Sequence, residues 1–208
     1  MNKSQLSRRT VLTRISVFLT GLFASRGANA ALLTPKATEG PYYPTPAMRP
    51  LDVDNDLVKI MGFVKEAGGE IIILKGRITN KDGSPQPGLR VEIWQCDLNG
   101  KYLHTGDNQA TEYDVGFQGF GHDITSNDGT YQFRTIKPTK YPGRAPHIHV
   151  KVCTEKRDLL TTQFYIHDHN DNNDDRIFRR MSKAEADSVS MVFEESVNGT
   201  ETMVNIVL

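Results

Sequence analysis

Arg144-Ala145-Pro146-His147-Ile148-His149-Val150 reads as the start of a β-strand, with β-branched residues alternating with histidines. Successive side chains of a strand leave opposite faces, so His147 and His149 leave the same one. Tyr141 lies six residues upstream, and Tyr102 ends an Asn99-Gly100-Lys101-Tyr102 turn further back. Two phenols and two imidazoles make a closed set of four metal ligands. Phenolate is a hard, electron-donating oxygen ligand. It suits ferric iron rather than zinc or copper(I).

Outward from this segment the chain continues to read as β structure. Ile71–Thr79 is rich in β-branched residues, and Leu89–Gln95 alternates with period two. Turn residues punctuate the runs at Lys81–Pro85, Asp97–Gly100 and Asn127–Gly129. Further strands are expected over Thr130–Ile136, Pro146–Cys153 and Leu160–Ile166. Asn198-Gly199 predicts a hairpin between Ser188–Glu194 and Glu201–Val207. Helical pattern is confined to Asp174–Met181 and Lys183–Ala186. About seven short strands imply an all-β chain. The expected architecture is a two-sheet β-sandwich with an irregular N-terminal arm and long loops carrying the metal site. The proline-rich residues 31–69 read as the arm and residues 70–208 as the sandwich domain.

The first 30 residues contain five basic residues and no acid, while the remainder carries a net charge of −5. No basic surplus points to nucleic acid. Ser7-Arg8-Arg9-Thr10-Val11-Leu12 resembles a twin-arginine export signal, and Ala28-Asn29-Ala30 fits a cleavage site. Residues 1–30 are therefore expected to be removed on export to the periplasm, leaving a mature form without a membrane segment. The apolar run Ile15–Ala24 is too short to span a bilayer. The two cysteines, Cys96 and Cys153, contain no CxxC pair; an oxidising compartment would permit a disulfide, and two buried thiols are the alternative.

Other features read as bland. His104 and His122 are assigned to loops. Gly116, Gly119 and Gly121 form a glycine-rich stretch without the strand-to-helix context of a nucleotide loop. His167-Asp168-His169 opens a run of Asp and Asn, residues 168–175, that reads as a solvated loop.

A free tyrosine has a pKa near 10 and is a poor ligand at neutral pH. A bound trivalent cation inverts that preference and favours the phenolate. Two phenolates would cancel two of three positive charges and stabilise iron(III), with neutral imidazoles completing the set.

The joint pattern resembles the intradiol ring-cleavage dioxygenases, the family of catechol and protocatechuate 3,4-dioxygenases. Three blocks carry the resemblance: Thr38-Glu39-Gly40-Pro41-Tyr42-Tyr43, Gly88–Gln95 through Gly100-Lys101-Tyr102, and Asp128–Phe133 through Thr135-Ile136-Lys137-Pro138 to His149. Thr162-Gln163-Phe164-Tyr165 fits the following strand. The resemblance implies Fe(3+) held by Tyr102, Tyr141, His147 and His149, with Tyr102 the ligand that substrate displaces. It gives Arg144 and Gln163 catalytic places in the pocket. Trp94, Gly40 and Pro41 become substrate-binding residues. The implied reaction uses O2 to cleave a catechol-type ring between its two hydroxylated carbons, giving a muconate-type diacid. The resemblance leaves room for a homo-oligomer. Tyr141-Pro142-Gly143-Arg144 is shorter than in many members, which leaves substrate preference open. The competing reading is a transthyretin-like β-sandwich binding module without iron.

Overall fold

Short β-branched segments paired into two sheets account for most of the regular structure. The computed structural model describes residues 31–62 and 65–208; the export signal expected over residues 1–30 lies outside them. The strands are β1 (Ile71–Thr79), β2 (Arg90–Trp94), β3 (Phe120–Ile124), β4 (Thr130–Ile136), β5 (His147–Cys153), β6 (Asp158–Ile166), β7 (Ser190–Met191), β8 (Phe193–Ser196), β9 (Gly199–Met203) and β10 (Ile206–Val207). The one short α-helix among the described residues, α1 (Lys183–Ser188), starts with a reciprocal capping box between Ser182 and Glu185.

In the first sheet β1 pairs antiparallel with β4 and parallel with β9 and β10, and β8 closes the far edge against β9. The second sheet runs β3-β2-β5-β6-β7. Side chains alternate along β1, burying Ile72, Leu74 and Ile78. They share one core with Phe133 of β4, Val91 and Ile93 of β2, Ile148, Val150 and Val152 of β5, and Phe164 of β6. Each such side chain contributes about 1.5–3 kcal/mol through burial.

Alternation of burial fails in β5, whose seven residues are all buried. Ile148, Val150 and Val152 belong to the sandwich core. By parity His147, His149 and Lys151 leave the other face, and the N-terminal arm covers it. Lys151 forms an ion pair with Glu39 and lies 3.8 Å over the Tyr43 ring. Backbone bonds from Thr34 to Val207, Ala37 to Thr161 and Leu57 to Arg134 attach the arm to both sheets.

Some expectations need correction. β3 takes in Gly121 of the glycine-rich stretch, and His122, assigned to a loop, sits on this strand opposite Glu92. The hairpin forms, with Ser196 paired to Gly199. Its flanking runs, however, divide between the sheets: β7 pairs with β6 and β10 with β1. The helix expected over Asp174–Met181 is a single 3₁₀ turn at Phe178–Arg180. Cys96 and Cys153 are both buried and free. Among the described residues no helix is long and apolar enough to cross a membrane.

Candidate metal centre

Strand register builds the site. Trp94 of β2, His149 of β5 and Gln163 of β6 lie side by side in one row, and His147 pairs with Tyr165 in the next. Trp94 stacks flat on His149, with centroids 4.8 Å apart and planes 9° apart. It is fully buried behind the imidazole. Trp94 therefore backs the His149 imidazole, where a substrate-lining surface was expected. On the arm, Gly40 has φ +75°, and a Cβ there would come 3.3 Å from His149 Cε1. Glycine allows both the left-handed backbone and the close approach.

The four expected donors converge. His147 Nδ1 lies 2.7 Å from the Ala145 carbonyl and donates to it, which leaves the Nε2 lone pair free. That Nε2 stands 3.1 Å from His149 Nε2. Two nitrogens bound to one cation at about 2.1 Å and at a right angle are about 3 Å apart. Around the rings, centroid distances are 4.6 Å for His147–His149, 5.5 Å for Tyr141–His147, 5.2 Å for Tyr102–Tyr141 and 6.2 Å for Tyr102–His149. The Tyr102 turn reaches this point because Gly100, at φ +75°, lies against the Lys140 carbonyl beside Tyr141.

The electrostatics fit a cation. Burial pushes His147 down to about 3 and holds His149 well below the usual histidine value, so both imidazoles are neutral donors. Tyr102 is 2% exposed, and its hydroxyl has no hydrogen-bond partner. Burial holds it well above the ordinary phenol pKa, with Cys96 and Tyr141 adding to the shift. Tyr141 is half-buried; burial raises its pKa while Arg144 pulls the other way. Among the described residues no group of three or more His, Cys, Asp or Glu side chains can hold a metal ion. A metal at this point must therefore take the phenol oxygens as well as the imidazoles. An orphaned buried phenol beside two neutral imidazoles is a donor set of that kind.

Arg144 spreads its guanidinium over four acceptors. Nη1 donates to Tyr141 Oη (3.2 Å), Nη2 to Gln163 Oε1 (2.6 Å) and Tyr165 Oη (3.1 Å), and Nε to Asp175 Oδ2 (2.8 Å). The Gln163 amide nitrogen donates to the Thr38 carbonyl and faces His149 Nδ1 at 3.3 Å. A cavity of about 490 Å³ opens here, lined by Lys140, Tyr141, Arg144, Asp171 and Asp174 among others.

Pro41 is exposed, and its neighbour Tyr42 takes the inward place. Tyr42 stacks on Tyr102 (4.8 Å, 29°) and meets Tyr141 and His104 edge-on. Sequence reading missed Tyr42, Tyr165 and Asp175. The first two stood inside quoted motifs without being given a role; Asp175 had no local signal.

Comparison with known proteins shows what the chain is similar to. A family model described as Dioxygenase matches residues 38–208. The protocatechuate 3,4-dioxygenase beta chain of Burkholderia cepacia is 35% identical over 60% of this chain and 56% of its own. The catechol 1,2-dioxygenase of Candida albicans is 27% identical over 63% of this chain and 46% of its own. The chain thus spans about half the length of the curated relatives it matches. Among solved structures, the dioxygenase domain of a dioxygenase–carbohydrate-binding protein fusion from Streptomyces sp. SirexAA-E is 29% identical. It superposes with a TM-score of 0.62 over 85% of this chain and 97% of that one.

The buried imidazoles set a pH dependence. Both are neutral when folded, whereas in the unfolded chain they take up protons near pH 6.5. Their stabilising effect is fully present above that value. It is lost as pH falls below it, toward the depressed folded-state value of about 3 for His147. His122, also lowered by burial, acts in the same direction. Urea midpoints of the metal-free protein should fall between pH 7.5 and 5, and a His147→Gln/His149→Gln variant should flatten the profile. A flat wild-type profile contradicts the burial assigned to the pair.

Proposed function

The chain belongs to the intradiol ring-cleavage dioxygenases, and on that premise we propose that it is a non-haem iron(III) enzyme that opens a catechol-type ring with O2. Cleavage falls between the two hydroxylated carbons, and both oxygen atoms enter a muconate-type diacid. The observation that carries this reading is the convergence of Tyr102, Tyr141, His147 and His149 on one buried point. A binding module has no need of that donor set. The two relatives named above act on protocatechuate and catechol, and the shared 1,2-dihydroxybenzene unit is the substrate class assigned here.

Ferric iron, when bound, supplies a Lewis-acidic centre that favours the deprotonated catechol and its reaction with O2. The two phenolates offset two of its charges, and the neutral imidazoles add none. Arg144 stays cationic at any working pH. It faces Tyr141 from the cavity side, where it stabilises negative charge developing on the ring. Gln163 fixes the far end of that guanidinium and ties the site to the arm at Thr38.

Burial bears on which phenol gives way to substrate. The family resemblance assigns that role to Tyr102. Tyr102, however, is enclosed under Tyr42, and its backbone N–H is held by Asp107 at 2.8 Å. Tyr141 is half-buried and lines the cavity. Room to move favours Tyr141, and its Oη is then placed to accept one catechol proton.

The reading also takes the mature chain outside the cytoplasm, starting at Ala31, on the strength of the Ser7–Leu12 and Ala28–Ala30 motifs. N-terminal sequencing of the protein from the periplasmic fraction tests this, and an intact Met1 terminus refutes it. Oxygen uptake by iron-loaded protein with a panel of catechols, with product identification, tests the activity. Consumption of one O2 per ring-opened diacid is expected, and no uptake with any catechol removes the reading. Tyr102→Phe should lose iron, whereas Tyr141→Phe should keep most of it and alter the rate of catechol binding. The reverse pattern returns the displaced role to Tyr102.

A further inference from the structure

The run 168–175 has the composition of a solvated loop, yet one carboxylate in it is turned fully inward. Asp175 is 1% exposed. Its Oδ2 accepts from Arg144 Nε (2.8 Å) and from the Ala145 N–H (3.0 Å). Its Oδ1 accepts from the N–H groups of Ile177 (2.8 Å) and Phe178 (3.1 Å). Its carbonyl accepts from Arg179 at 3.0 Å. One residue thus joins the loop, the catalytic arginine and the backbone that opens β5.

Geometry distinguishes this bond from the others Arg144 makes. The three Nη contacts end on two tyrosine oxygens and an amide oxygen. Among the described residues Asp175 supplies the only carboxylate within bonding distance, and it grips Nε, next to the flexible stem. All of Arg144's bonds have a charged donor, but this one also has a charged acceptor and is an ion pair with little exposure. Without this one the guanidinium keeps its Nη contacts but gains freedom to swing into the adjoining cavity of about 490 Å³.

We infer that Asp175 is a positioning residue that sets the plane of the Arg144 guanidinium against Tyr141. This rests on the catalytic role proposed for Arg144 and goes beyond it, because it assigns work to a loop outside the ligand strand. Asp175 touches neither substrate nor metal and acts through Arg144 alone.

A double-mutant cycle on the iron-loaded protein tests it. Asp175→Asn keeps an acceptor for Ile177 and Phe178 but turns an amide toward two N–H donors. Turnover (kcat) is expected to fall on the order of ten- to a hundredfold, with KM for catechol within about threefold of wild type. Iron content per chain, read by metal analysis, should not change. In an Arg144→Ala background the same substitution should cost almost nothing further, because coupled residues are non-additive. Wild-type turnover in Asp175→Asn overturns the inference, as do losses that multiply in the double variant. Loss of iron with unchanged turnover per bound iron also overturns it. If Asp175→Asn does not fold, Arg144→Lys keeps the charge but cannot present Nε to the carboxylate. It should show the same fall in kcat, and wild-type turnover there also overturns the inference. Wild-type turnover in Arg144→Ala removes the role of Arg144 itself, and this inference falls with it.

Discussion

Two imidazole nitrogens held 3.1 Å apart in a buried pocket are the constraint on which the rest of the site depends. Burying a polar group without a partner costs about 1–3 kcal/mol. This site buries two imidazoles, which meet each other at Nε2, and a phenol whose hydroxyl has no partner. The sheet brings them together through parity, since residues two apart on β5 share a face and neighbouring strands align Trp94 and Gln163 beside them. The arm then closes over that face with Gly40 against His149 and Glu39 against Lys151. A cation that accepts all four donors turns an expensive arrangement into a favourable one. A fold built only to pack would have no reason to keep it.

Charge around the site is balanced locally. The positive charge of Arg144 is met by Asp175, and that of Lys151 by Glu39 and Asp158. Tyr43 donates to Glu92 at 2.6 Å, so the arm is also held by a phenol–carboxylate bond close to Trp94. These pairs tie loops and arm to strands whose positions the hydrophobic core already determines. His147, His149 and Gln163 therefore sit on β-strands, whereas Tyr102, Tyr141 and Arg144 come from turns fastened by polar bonds.

Much of this was legible because it is local. Period-two alternation marks β1, β4 and β5, and the His-x-His spacing gives a shared face without reference to any other strand. What the chain hid was non-local. β3 carries Gly121 just after Gly119, and only its pairing with β2 makes Phe120–Ile124 a strand. The strands around the hairpin divide between two sheets because β7 and β10 each find a partner far away in sequence. Composition identifies 168–175 as polar but cannot show that Asn172 and Asp175 turn inward. Trp94 was expected to line the substrate pocket. Its position behind His149 follows from strand register, which one sequence does not specify.

The most direct test is metal content and spectrum on the same sample. Protein reconstituted with ferric iron should bind one ion per chain. It should show a broad visible band from tyrosinate-to-iron charge transfer, whose resonance Raman spectrum reports phenolate ring modes. A well-folded protein that stays colourless and iron-free after reconstitution would contradict the account at its centre.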